Sequence, residues 1–499
     1  MSAVGRSSVS ESERAVLERV RTDLYIGGRW RAASGGATLA VEDPASGEEL
    51  VRVADAHAQD ALAALAAAAD AQAQWTAHAP RERGEILRRA YEAITEHSDE
   101  LALLMTLEMG KALAESRAEI SYAAEFFRWF AEEAVRVHGR YMVNTTGKGR
   151  ILTMRQPVGP CVFVTPWNFP MAMGTRKIAP AIAAGCTMVV KPAKQTPLSM
   201  LALTQILERA GLPAGVLNVI TADSAGSVIA PLLEDPRARK LSFTGSTEVG
   251  RTLIEQSAKQ ILRVSMELGG NAPFLVFEDA DLDAAVQGAM LAKMRNVGEA
   301  CTAANRFHVH ASLAPEFAAR LAERMGALKV GRGTEPGVDV GPLIDEAQRG
   351  KVKELVEDAV ARGASVLVGG APLSGPAYPG YFFEPTVLAD VPGDARVLRE
   401  EIFGPVAPVA TFATEEQALE AANRTEYGLV AYVYTRDLNR ALRVCERIES
   451  GMVGLNQGVV SNPAAPFGGV KQSGFGREGG FEGIGEYLET KYVAVAEPA

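Results

Sequence analysis

Residues 161–193 read CVFVTPWNFPMAMGTRKIAPAIAAGCTMVVKPA. Cys161–Thr165 is short, apolar and rich in β-branched and aromatic residues, which predicts a buried strand. Residues 175–184 predict a helix and Met188–Lys191 a second strand. The rhythm continues outward. Residues 198–210 predict a helix ending at Gly211, and Val216–Ile220 and Lys240–Phe243 predict strands. The latter runs through Gly245 into a helix from Thr247. Strand and helix alternating through short loops is the pattern of a parallel, doubly wound sheet. A second alternating series runs from Asn271 to about residue 450. The expected class is therefore α/β, with two doubly wound parallel-sheet domains.

The flanks are different. Residues 1–20 read as a loose polar arm or frayed helix, Leu24 to Ala40 as short strands with turns at Gly27-Gly28 and Gly35-Gly36. An Ala-rich helix is expected near residues 56–75, with further helices over 80–137. Residues 138–158 and the tail, with Tyr487-Leu488-Glu489 and Tyr492 to Val495, lean towards β outside the two series. They are expected to pair as a small oligomerisation sheet. The expected division is a discontinuous dinucleotide domain (1–137 and 159–266), a catalytic domain (267–475), and oligomerisation segments (138–158 and 476–499).

A chain of 499 residues exceeds one compact core, which agrees with this division. A net charge of -10 argues against a nucleic-acid binder. Cys161, Cys186, Cys301 and Cys445 are widely spaced with no CxxC pair, which fits a reducing compartment and no structural metal. Met1 to Ser12 lacks an apolar signal core, and no window reaches the about 18 apolar residues of a spanning helix. A cytoplasmic protein that touches no membrane is expected.

Three segments carry chemistry. Cys301 ends Asn296-Val297-Gly298-Glu299-Ala300-Cys301, where a glycine and a small neighbour suggest a bend. A thiolate there would attack a carbonyl carbon. Glu267, in Glu267-Leu268-Gly269-Gly270-Asn271, stands where a strand meets a glycine turn, which suits a general base beside that thiol. Read alone, it is only a surface carboxylate before a turn. Asn168 follows the first strand, and its amide could donate to an oxyanion together with the Cys301 backbone N–H. Gly474 to Gly479 formally matches GxGxxG but does not join a strand to a helix near the chain start, so no dinucleotide role is expected of it. His308 and His310 lack carboxylate or cysteine partners and read as structural.

Together with TPWNFP (165–170), KPA (191–193), FTGSTEVG (243–250), MELGG (266–270), EEIFGPV (400–406) and PFGGVKQSGFGREGG (466–480), the Cys301 segment resembles the aldehyde dehydrogenase superfamily in order and spacing. The resemblance spans about residues 20 to 495. It implies the aldehyde dehydrogenase fold and a catalytic set of nucleophile Cys301, base Glu267 and oxyanion donor Asn168. It implies a nicotinamide-cofactor site at Thr165, Pro166, Trp167, Lys191, Ala193, Lys194, Gly245, Ser246, Glu401 and Phe403. Within that set Lys191 would hold the adenosine ribose, Ser246 would lie by the diphosphate at a helix N-terminus, and Glu401 and Phe403 would meet the nicotinamide ribose.

The resemblance is closest to succinate-semialdehyde dehydrogenases, through Arg176, Arg295 and Ser461. Two guanidiniums and a hydroxyl suit a carboxylate tail. Arg295 is expected on the same helix as Cys301, about a turn and a half before it. Lys194 occupies a position where NAD-specific members often carry Glu. A lysine would attract a 2′-phosphate, so NADP is favoured and NAD remains usable. Ala303 replaces the second cysteine that some members use as a redox switch, which puts such a switch in doubt. A broader aldehyde dehydrogenase, a cofactor-independent thiol esterase and an idle scaffold are the competing readings. A small aldehyde substrate and a homo-oligomer, dimer or tetramer, complete the expectation.

Overall fold

A computed structural model describes residues 10–496. The readings made of the first nine and last three residues lie outside the described residues.

The first large sheet has eight strands. Its centre is five parallel strands in the order Arg263–Glu267, Lys240–Thr244, Cys161–Val164, Met188–Lys191 and Leu217–Val219. Nearly every residue in them is buried, as a sheet covered by helices on both faces requires. Its edges are antiparallel: the hairpin Leu24–Ile26/Arg29–Arg31 on one side, and Gly474–Phe475 on the other. The second sheet has seven strands and is parallel except for Ser365–Val368 at its edge. Both sheets are thus mixed but mostly parallel, as the alternation implied.

The helix predicted at 175–184 begins earlier, at Ala172, and is buried on every side. The Ala-rich helix spans Ala58–Ala77, and the polar arm contains the helix Glu11–Arg19, whose Ser10 and Glu13 form a capping box. A helix at Ala225–Glu234 has no counterpart in the sequence reading; its Gly226 and internal Pro231 read locally as loop.

The β-leaning flanks pair with each other. Leu488–Val495 runs antiparallel to Arg150–Pro157 through eight residues, and Arg140–Val143 adds a third strand. Tyr141, Met142, Val143, Tyr492 and Val495 are exposed on this sheet.

One expectation fails. The helix before Cys301, Leu282–Met294, stops short of Arg295, and Asn296 and Val297 take left-handed backbone angles (φ 55° and 58°). β-branched Val297 is strained there. Arg295 and Cys301 therefore do not share a helix. The break instead turns Arg295 to one side and feeds Cys301 into the site by a separate loop.

Candidate active site

The predicted residues collect at the carboxyl ends of the parallel strands, where α/β sheets build sites. Asn168 follows the strand ending at Val164, Lys191 ends the next, Gly245 follows Thr244, and Glu267 ends its strand. A cavity of about 220 Å³ brings together Pro166, Trp167, Asn168, Gly245, Ser246 and Cys301. Glu401 and Phe403 also line it.

Asn168 is held from several directions. Its amide nitrogen donates to the Glu299 carbonyl at 3.0 Å. Its own carbonyl accepts from Asn296 Nδ2 at 2.9 Å and from Lys111 Nζ at 2.8 Å. Lys111 is anchored by Glu119 at 2.6 Å, and Glu119 also accepts the Met171 and Ala172 N–H groups. The left-handed turn at Asn296 thus positions the amide opposite the thiol loop. Gly270 packs on that loop: a Cβ there would lie 2.3 Å from the Cys301 carbonyl.

Cys301 is half-buried. Burial pushes its thiol up to about 12, against the pull of the Arg176 guanidinium. Both Glu267 oxygens are buried with no hydrogen-bond partner. Burial first, and the nearby Glu478 charge second, hold that carboxyl well above the usual range. A buried carboxyl without a protein partner, held above its usual range, is the kind of group that functional sites concentrate.

Glu401 accepts the Gly270 N–H at 3.0 Å, and burial raises it to about 7. Phe403 has φ 54° and meets Trp167 edge-on, with ring centroids 5.3 Å apart. Ser246 caps the helix Thr247–Ala258 and accepts from Val249 N. Lys191 is buried and lowered to about 8 by burial and by Lys194. Lys194, exposed, pairs with Asp223 at 2.8 Å and lines a neighbouring cleft. The buried hydroxyls Thr165 Oγ1 and Thr244 Oγ1 have no partners. Unsatisfied hydroxyls, a capped helix start and a buried lysine at a strand end fit a dinucleotide.

The three residues expected to meet the substrate converge, unequally. Arg295 donates to Ser461 Oγ at 3.1 Å and lies over the Phe169 ring at 5.0 Å. Arg176 is buried against the Phe467 ring at 3.8 Å, and its Nε is 3.0 Å from Glu478 Oε2. Tyr122 lies between them: its ring is 5.7 Å from the Arg295 guanidinium, and its buried hydroxyl has no partner. The sequence reading missed both Tyr122 and Glu478. Tyr122 gave no local signal. Glu478 stood inside the glycine-rich stretch dismissed as a dinucleotide motif, opposite the Arg176-Lys177 pair on a fully buried helix, and that pair was the available clue.

The aldehyde dehydrogenase family model matches residues 30–493, and the chain belongs to that family. It is 61% identical over 449 residues to a succinate-semialdehyde dehydrogenase of Paenarthrobacter nicotinovorans, covering 90% of this chain and 99% of the relative. It is 51% identical to the succinate-semialdehyde dehydrogenase [NADP(+)] of Escherichia coli strain K12, covering 95% and 98%. The crystal structure of succinate-semialdehyde dehydrogenase from Burkholderia pseudomallei superposes with a TM-score of 0.94 at 49% identity, covering 99% of this chain and 100% of that one.

Proposed function

We propose that this enzyme oxidises succinate semialdehyde, or a similar carboxylate-bearing semialdehyde, to the acid through a thioester on Cys301, with NADP favoured over NAD. The observation that carries the substrate class is the Arg295–Ser461 pair beside the partnerless Tyr122 hydroxyl. A buried carboxylate needs such charge-assisted partners. The two relatives above bear the matching name, one of them with NADP(+).

In this reading the Cys301 thiol gives up its proton to solvent water and the thiolate sulfur adds to the aldehyde carbon. The resulting oxyanion accepts hydrogen bonds from the Asn168 amide and the Cys301 N–H, each donor being worth about 3–4 kcal/mol of barrier. When bound, the nicotinamide supplies the hydride acceptor. Loss of hydride leaves the acyl thioester on Cys301. Glu267 then takes a proton from water, the hydroxide attacks the acyl carbon, and the acid departs as the Cys301 sulfur is released. Lys191, Lys194, Ser246, Glu401 and Phe403 hold the cofactor, with Thr165, Pro166, Trp167, Ala193 and Gly245 shaping its groove.

The same reading divides the chain into a dinucleotide domain (1–137 and 159–266) and a catalytic domain (267–475), and assigns the three-stranded sheet to assembly of a homo-oligomer. Its exposed apolar residues support that assignment. Among the described residues no helix is long and apolar enough to cross a membrane, and all four cysteines are free, which supports a cytoplasmic setting. A kinetic panel of succinate semialdehyde and butanal against both cofactors, with an ester-hydrolysis assay alongside, tests the proposal. Preference for the semialdehyde with NADP is expected. Preference for butanal would make this a broader aldehyde dehydrogenase, and ester turnover without aldehyde oxidation would make it an esterase.

A further inference from the structure

The second sheet carries a cleft that the proposed reaction does not use. It measures about 860 Å³ and is lined by Arg306, His308, Asp394, Leu398, Arg399 and Arg424, among others. It opens where the strands Ala304–His310 and Val406–Phe412 meet the end of the helix Glu415–Asn423.

Its charge is unbalanced. Three guanidiniums face a single lining carboxylate, and that one, Asp394, already bonds Arg362 at 2.6 Å. Arg306 is buried, and its Nε, Nη1 and Nη2 donate only to the neutral carbonyls of Asn271, Ala421 and Ala422. Among the described residues no carboxylate pairs with Arg306, Arg399 or Arg424. A chain of net charge -10 has acids to spare, so their absence here is a local arrangement.

A second observation points the same way. His308 is only 6% exposed, and its Nε2 has no hydrogen-bond partner. Buried polar atoms are normally satisfied, so an orphan nitrogen on the wall of a cationic cleft marks a missing partner. Burial, Arg306 and Arg424 push this ring down to about 3, which keeps it neutral.

We propose that this cleft binds a phosphate-class oxyanion, with Arg399 and Arg424 as its charged arms and His308 as a neutral hydrogen-bonding wall. Guanidinium forks match tetrahedral oxyanions two bonds at a time. Arg306 supplies fixed positive charge while it holds the Asn271 carbonyl at the end of the Glu267 turn, so it is left intact in the test.

Inorganic pyrophosphate, titrated calorimetrically at constant ionic strength into the full-length protein saturated with NADP, is the probe. The NADP keeps the cofactor groove filled. One site per chain is expected, and the Arg399→Gln/Arg424→Gln double variant should weaken it at least about tenfold. Aldehyde oxidation without pyrophosphate should be unchanged in that variant. Thermal stabilisation by pyrophosphate over an equal ionic strength of chloride should appear in the wild type and vanish in the variant. No binding to the wild type, or equal binding to both proteins, overturns the proposal; the second result would place the ion elsewhere on the surface.

Discussion

Arg176 and Glu478 form a buried ion pair: Nε and Oε2 are 3.0 Å apart, and neither side chain is more than 5% exposed. Lys177, the next residue, reaches the same carboxylate. One acid therefore serves two buried cations beside Glu267. The arginine that the sequence offers as half of a substrate clamp arrives with its charge already answered, so under the proposed function Arg295 would carry most of the net attraction for a carboxylate tail.

Glu478→Gln tests that arrangement by pH. Glu478 holds the Glu267 carboxyl up, and Arg176 and Lys177 pull it down. Removing the acid takes away one of the two upward pushes and leaves burial alone against the pull of the cations. Glu267 should ionise at lower pH, and the acidic limb of the kcat profile should move to lower pH. Two unpaired buried cations should also cost about 3–5 kcal/mol of stability, read by denaturant titration. A limb that stays put or moves upward would remove Glu478 from the base's surroundings.

Arg295→Ala should lower kcat/KM for succinate semialdehyde by about 30-fold or more, while butanal loses much less. Arg176→Ala should differ in kind: by unbalancing Glu478 and Glu267 it should slow both aldehydes. Tyr122→Phe, which removes only the orphan hydroxyl, should raise KM for the semialdehyde and spare butanal. Equal losses on both aldehydes in the Arg295 variant would end the clamp reading.

Cys301→Ala should abolish aldehyde oxidation and ester hydrolysis and leave cofactor binding intact. Glu267→Gln should slow the release of acid, so a rapid burst of reduced cofactor should precede a slow steady state. An unchanged steady-state rate in the Glu267 variant, or lost cofactor binding in the Cys301 variant, would reassign both roles.

Lys194→Glu should raise KM for NADP over that for NAD by on the order of tenfold, since a carboxylate repels the 2′-phosphate. Asp223 competes for the same ammonium at 2.8 Å, so Asp223→Asn should lower KM for NADP. If both cofactors respond alike, Lys194 points away from the ribose.

Residues 161–193 were legible because buried parallel strands and their helices leave long apolar blocks with glycine and proline between them. Strand Met188–Lys191 falls where the sequence places it. Cys301, Glu267 and Asn168 were recognisable through strings of fixed order, and Pro166, Trp167, Asn168 and Cys301 line one cavity with Glu401 and Phe403. The path of the chain into Cys301 was not legible, because a left-handed break at Asn296 and Val297 follows from tertiary packing that no local pattern reveals. Nor was Tyr122: a tyrosine on a buried helix face reads as core until its hydroxyl is seen without a partner.

The pairing of Arg176 and Lys177 with Glu478 also orders events during synthesis. A ribosome delivers the chain from its N-terminus. The helix Ala172–Ala184 emerges about three hundred residues before its counter-charge, 301 positions on from Lys177. Until Glu478 follows, two cations have no acid to enter the core with, and the strand Leu488–Val495 that lies against Arg150–Pro157 is missing as well. Under the proposed roles of Cys301 and Glu267, the surroundings of both are therefore complete only once the last strand of the chain has been made.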